Sequence, residues 1–82
     1  MDRRLAYAKQ VRSSARWQRL RRMKLRRNPL CEECQRNGVT REAREVHHRI
    51  PIRVNPHLAY VMDNLEALCV PCHRKREAEE RA

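Results

Sequence analysis

The chain has 82 residues, enough for one domain and too few for two. It is 40 % hydrophobic, with no Phe and with Tyr7, Trp17 and Tyr60 as its only aromatics, which excludes a large apolar core or a deep apolar pocket for a metabolite. Its formal net charge of +10 resides entirely in residues 1–27, where 11 basic residues face the single acid Asp2; in residues 28–82 nine basic and nine acidic residues cancel.

A basic block of that kind points to a polyanion, nucleic acid first, against the plainer readings of a solvated basic helix or a tail on an acidic membrane surface. No apolar stretch approaches the roughly 20 residues of a membrane span. The opening MDRRLAYAKQ lacks the apolar stretch of a signal peptide. The expected setting is therefore a reducing cytoplasm, where cysteines serve as metal ligands more often than as disulfides.

Residues 13–27 read as a helix, with Ser13 or Ser14 as its cap and Asn28-Pro29 as its end. Trp17, Leu20 and Met23 recur at three-residue spacing and are expected to face the body of the domain, with Trp17 a packing anchor. Arginines and Lys24 cover the rest, and Arg19, Arg22 and Arg26 are candidate DNA contacts. Upstream, Leu5, Ala8 and Val11 either extend this helix or belong to a frayed segment. Residues 31–38 form a knuckle, after which Gly38, the only glycine, supplies a positive φ. AREVHH (43–48) reads as a short strand, RIPIRVNPHLAY (49–60) as a loop that includes His57, and NLEALC (64–69) as a second short strand or a turn leading into one. Pro71 suits the first turn of a closing helix through HRKREAEE.

The four cysteines form two CxxC pairs, Cys31–Cys34 and Cys69–Cys72. Thiolates two residues apart can reach one ion across a tight turn, and two such pairs supply the four soft ligands of a closed tetrahedral zinc site. The competing readings are disulfides or a redox CxxC, but two pairs in a basic chain without a thioredoxin-like pattern do not suit redox work. A structural Zn2+ would then fasten residues 31–34 to residues 69–72 and supply much of the folding energy.

His47 and His48 are adjacent, Asn64 follows, and His73 comes directly after the last cysteine. Neighbours on a helix lie about 100° apart, so Cys72 and His73 are expected to face different ions. The run LCEEC, EVHHRIP and DNLEALCVPCHRKR resembles the HNH endonucleases in their zinc-bearing form, nearest the small phage-type members that act with DNA-packaging terminases. The match covers residues 17–76. It implies an α+β fold, a small zinc-stabilised ββα-metal (HNH) domain with a basic N-terminal helix. On this reading residues 1–82 are a single domain, with 1–28 the basic helix and 29–76 the clipped core.

Carried over by position, the resemblance implies that His48 is the general base and that Asn64 braces the loop and orients it. It further implies that His47 and His73 hold one catalytic divalent cation. Many members have Asp where this chain has His47; an imidazole there favours Mn2+, Ni2+ or Zn2+ over Mg2+. Arg49, Arg74 and Lys75 are candidate phosphate clamps, the alternative being plain surface charge. Adjacent strand residues point to opposite faces, so His47 and His48 can serve one centre only if the strand ends or bulges there; otherwise one is structural. The expected function is metal-dependent cleavage of DNA phosphodiester bonds, by nicking or by double-strand cuts. DNA and phage terminase subunits are the expected partners, and neither a membrane nor a small-molecule cofactor is. The rivals are a non-catalytic zinc-clipped DNA-binding module and an interaction module docking on a larger subunit. Binding alone needs none of His47, His48, Asn64 and His73, which argues against both.

Overall fold

A computed structural model describes residues 2–81, and the basic third of the chain forms two helices rather than one. Helix α1 (Arg3–Arg12) is capped by Asp2, whose carboxylate accepts from the Arg4 N–H at 2.8 Å. Ser13 and Ser14 end it, because their hydroxyls compete with the helical backbone for hydrogen bonds. Ser14 then starts α2 (Ala15–Arg27), its Oγ accepting from the Trp17 N–H at 3.1 Å. Leu5, Ala8 and Val11 thus neither extend α2 nor fray. Ala8 and Val11 are buried, while Leu5 is exposed.

The apolar stripe of α2 departs from the expected one. Trp17 is buried and Leu20 half-buried, but Met23 is exposed and Lys24 takes the inward place, its ammonium 3.1 Å from Glu32. At 3.6 residues per turn, a residue six positions on points well away from Trp17, whereas one seven positions on returns almost to its direction.

Cys31 opens the short helix α3 (Glu32–Arg36), and Gly38 follows with φ +76°, as the knuckle requires. Strands β1 (Glu45–His48) and β2 (Leu65–Leu68) pair antiparallel, with Glu45 opposite Leu68 and His48 opposite Leu65. The connection between them is irregular, as its prolines suggest, with single 3₁₀ turns at Pro56–Leu58 and Met62–Asn64. Helix α4 (Val70–Arg81) closes the chain with Pro71 in its first turn, where a missing N–H costs nothing.

The two strands separate two interiors. Alternation puts Val46, His48, Leu65 and Ala67 on one face and Glu45, His47, Glu66 and Leu68 on the other. Val46 and Leu65 join Ala8, Val11, Trp17, Ile52 and Ala59 in a small apolar core. On the opposite face Leu68 packs against the four cysteines. Glu66 is fully buried there, yet none of its charge is wasted: Arg36 and Arg76 reach it at 2.7 and 2.6 Å, and Arg49 at 3.4 Å. Arg76 also reaches Glu33 at 3.1 Å, so one arginine ties α4 to β2 and α3.

Burial alone would raise the Glu66 pKa; hydrogen bonds from Arg36 and Arg76 override it and hold the carboxyl below its ordinary 4.5. The ion-paired form therefore stabilises the fold above that value, and the contribution is lost as pH falls through the lower folded value. Glu66→Gln should cost about 2–3 kcal/mol at pH 7, the scale of charge-assisted hydrogen bonds. In urea melts the gap between parent and variant should narrow as pH drops below 4.5; a gap independent of pH would mean that the charge is not what Glu66 contributes.

Candidate active site

The four cysteine sulfurs converge. All lie within 4.8 Å of one another, and Cys34 Sγ is 3.8 Å from both Cys69 Sγ and Cys72 Sγ. Sulfurs arranged tetrahedrally about 2.3 Å from a zinc ion would be about 3.8 Å apart, so the residues fit that ion. The thiols differ in how readily they ionise. Burial opposes ionisation of Cys69, but the Cys72 backbone N–H and the neighbouring thiols bring it down to about 7. Burial pushes the Cys34 and Cys72 thiols up, and the Glu33 carboxylate beside Cys72 adds to the effect there.

His47, His48 and His73 line a cavity that none of the four cysteines lines. His47 and His73 meet edge to face with ring centroids 5.4 Å apart. His48 stacks on Trp17 at 4.7 Å, and its Nε2 donates to the Ala59 carbonyl at 2.9 Å. Burial is the main cause lowering the pKa of both His47 and His48, opposed by Glu80 at His47 and by the Ala59 hydrogen bond at His48. The strand ends at His48 without a bulge, and the adjacent rings turn to opposite faces of the sheet. Both nevertheless wall one open cavity of about 480 Å³, together with His73. Two adjacent imidazoles at the wall of an open cavity suit a borderline transition ion.

Asn64 is buried between the strands. Its Oδ1 accepts from the Ile50 N–H at 2.9 Å, and its Nδ2 donates to the Ile50 and Leu58 carbonyls at 3.0 and 3.2 Å. One side chain thereby closes the whole excursion between β1 and β2. Ala59, whose carbonyl holds His48, follows Leu58 directly.

A family model for HNH endonuclease matches residues 31–79. The chain is also similar to the HNH endonuclease of the deep-sea thermophilic bacteriophage GVE2, whose crystal structure contains a manganese ion. The identity is 31 %, over 99 % of this chain and 96 % of that one, with a TM-score of 0.83. The chain belongs to the HNH endonuclease family. No curated protein gives a match.

It is thus a nuclease of a family that acts on DNA, with the small α+β fold expected from the motif. The family match begins at the first cysteine pair and leaves out α1 and α2, which the structural match to the GVE2 enzyme covers.

The basic residues around the HNH cavity differ from those singled out by motif. Arg12, Arg21, Arg53 and Arg81 line it. Arg19, Arg22 and Arg26 are exposed on the side of α2 turned away from Trp17, and Arg74 and Lys75 are exposed on α4. Arg49 lies within 3.4 Å of Glu66 and Glu32, beside the cysteine clip. His57 is exposed on its 3₁₀ turn. The sequence also gave no notice of Glu77 and Glu80, which touch His73 and His47. Their spacing of four and seven from His73 places all three on one helical face, which is the signal that could have found them.

Zinc binding at sites of this kind is worth on the order of 10 kcal/mol, comparable to the entire stability of a small domain. Stripping zinc with a strong chelator, or Cys34→Ser, should therefore unfold the protein, seen as loss of cooperative melting by circular dichroism. Reduced protein that contains no zinc by elemental analysis and melts cooperatively would contradict this.

Proposed function

We propose that the chain hydrolyses DNA phosphodiester bonds with His48 as general base and His47 and His73 as the protein ligands of one divalent cation. The observation that carries this is the hydrogen bond from His48 Nε2 to the Ala59 carbonyl. A carbonyl only accepts, so Nε2 carries the proton and Nδ1 keeps the lone pair. His48 Nδ1 takes a proton from the attacking water as the water oxygen bonds to phosphorus and the bond from phosphorus to the leaving ester oxygen breaks, that oxygen then taking a proton from solvent. The Ala59 carbonyl steadies the imidazolium that forms, and the Trp17 face fixes the ring's tilt. When bound, the cation supplies Lewis acidity to the phosphate and the leaving oxygen. Asn64 acts at one remove, by holding the loop that presents the Ala59 carbonyl.

Arg12, Arg53 and Arg81 receive the scissile strand at the rim. Arg19, Arg22 and Arg26, with Arg74 and Lys75, hold flanking backbone. The paired imidazoles favour Mn2+ or another transition ion over Mg2+, and the manganese in the GVE2 enzyme supports that choice. The bacteriophage source of that enzyme supports phage DNA as substrate, and the motif resemblance extends the proposal to the packaging terminase as partner and the host cytoplasm as setting.

His48→Ala should fold, keep its zinc and bind DNA like the parent, while plasmid cleavage in Mn2+ falls by about 10²–10⁴-fold. His73→Ala should also lose cleavage, but excess Mn2+ should partly restore it and should not restore His48→Ala. Were both variants to cleave like the parent, the nuclease assignment of these residues would be wrong.

Salt tests the basic surfaces. The slope of log affinity against log salt should flatten by about 0.9 for each phosphate contact removed. Both Arg12→Ala with Arg53→Ala and the triple change at Arg19, Arg22 and Arg26 should flatten it on every DNA sequence alike. A slope that neither set alters would place the DNA elsewhere.

A further inference from the structure

We propose that Glu77 and Glu80 are positioning residues that fix opposite tautomers of the two facing histidines, leaving His47 Nδ1 and His73 Nε2 as the metal-binding atoms. The inference rests on the metal-site reading above and goes beyond it, to the atoms used and to the residues that select them.

The geometry is specific. Glu80 Oε2 lies 2.6 Å from His47 Nε2, and Glu77 Oε1 lies 3.2 Å from His73 Nδ1. An ionised carboxylate only accepts hydrogen bonds, so the ring nitrogen it touches carries the proton. A neutral imidazole has one such proton, and its other nitrogen is therefore the donor of a lone pair. His47 is bonded through Nε2 and His73 through Nδ1, so the two free lone pairs sit on differently named atoms. Carboxylates that hold the far nitrogen of a ligating histidine are a recurrent means of fixing its ring and raising its basicity.

Helix α4 supplies both carboxylates from the face that carries His73. Arg76 sets the phase of that helix through Glu66 and Glu33, and Arg53 donates to the Glu80 backbone carbonyl at 3.3 Å. The His47 side chain is 8 % exposed, so no crowd of waters competes with Glu80 for Nε2.

The experiment uses the full chain with zinc in its cysteine clip. Mn2+ binding is measured by calorimetry, and histidine tautomers by long-range nitrogen–proton spectra without added Mn2+. Glu80→Ala should weaken Mn2+ binding 10–100-fold, the usual effect of losing such a partner. It should also release His47 from its Nε2–H form. Glu80→Gln, whose amide oxygen accepts the same hydrogen bond, should keep that tautomer and most of the affinity. Glu77→Ala should release His73 from its Nδ1–H form.

Mn2+ binding unchanged or tightened in Glu80→Ala would overturn the proposal, as would unchanged tautomers in the alanine variants. So would a Gln variant as weak as Ala, because Glu80 would then be a direct ligand. Failure of the underlying metal-site reading would look different. The parent would show no Mn2+ site removed by His47→Ala or His73→Ala, whereas the tautomer spectra would still report on Glu77 and Glu80.

Discussion

Cys34 Sγ lies 3.8 Å from two sulfurs that are 35 and 38 residues away in the chain, and most of the architecture follows from that closure. The apolar core on the other face of the sheet is small and contains no Phe. Burial on that scale leaves a short domain marginal against the entropy of ordering it. A zinc ion held by the four cysteines would transfer the task of closing the long excursion from hydrophobic contact to ligation. Once residues 31–34 and 69–72 are joined, β2 and the start of α4 have a fixed place. Two strands of four residues, too short to persist alone, then pair in one register.

The buried Glu66 carboxylate transmits that closure to the cavity. It sits opposite His47 on the same face of the sheet and takes Arg76 from α4. A carboxylate inside a domain is stable only when its hydrogen-bonding capacity is met, and the three arginines around it meet that condition. The result is a continuous run of contacts from the cysteine cluster through α3 and β2 to the helix that carries His73.

The parts of this arrangement that were legible in the sequence are those whose chemistry is local. Cys31, Cys34, Cys69 and Cys72 could be read because two-residue spacing already places two thiolates on one ion. His47, His48, Asn64 and His73 could be read through the motif, and Gly38 and Pro71 through their backbone restrictions. The helix boundary at Ser13-Ser14 was ambiguous because either serine can cap. Lys24 was missed because a lysine is seldom buried unless a carboxylate comes from another segment, here Glu32. The same limit hid Glu66, which reads as the solvent-facing member of LEAL until Arg36 and Arg76 are brought to it. The cavity arginines come from α1, α2, the loop and the end of α4. No spacing rule connects Arg12, Arg21, Arg53 and Arg81, and a basic block of 11 residues gives no hint which members face inward.

The adjacent histidines turn to opposite faces of a strand only four residues long. Side chains on a strand alternate with period two, so sliding β1 by one position would exchange their surroundings. His48 would meet the carboxylates of α4, and His47 would meet Trp17 and the Ala59 carbonyl. Misregistered molecules would turn Val46 out of the apolar core as well as placing each imidazole in the other's environment. One register therefore serves both the packing of the core and the placement of the two histidines. Asn64, by fastening the residues just beyond β1 to those just before β2, acts as the latch against that slip. Length changes near Val54 at the exposed middle of the connection leave that latch in place, whereas a single insertion between Glu45 and Ile50 does not.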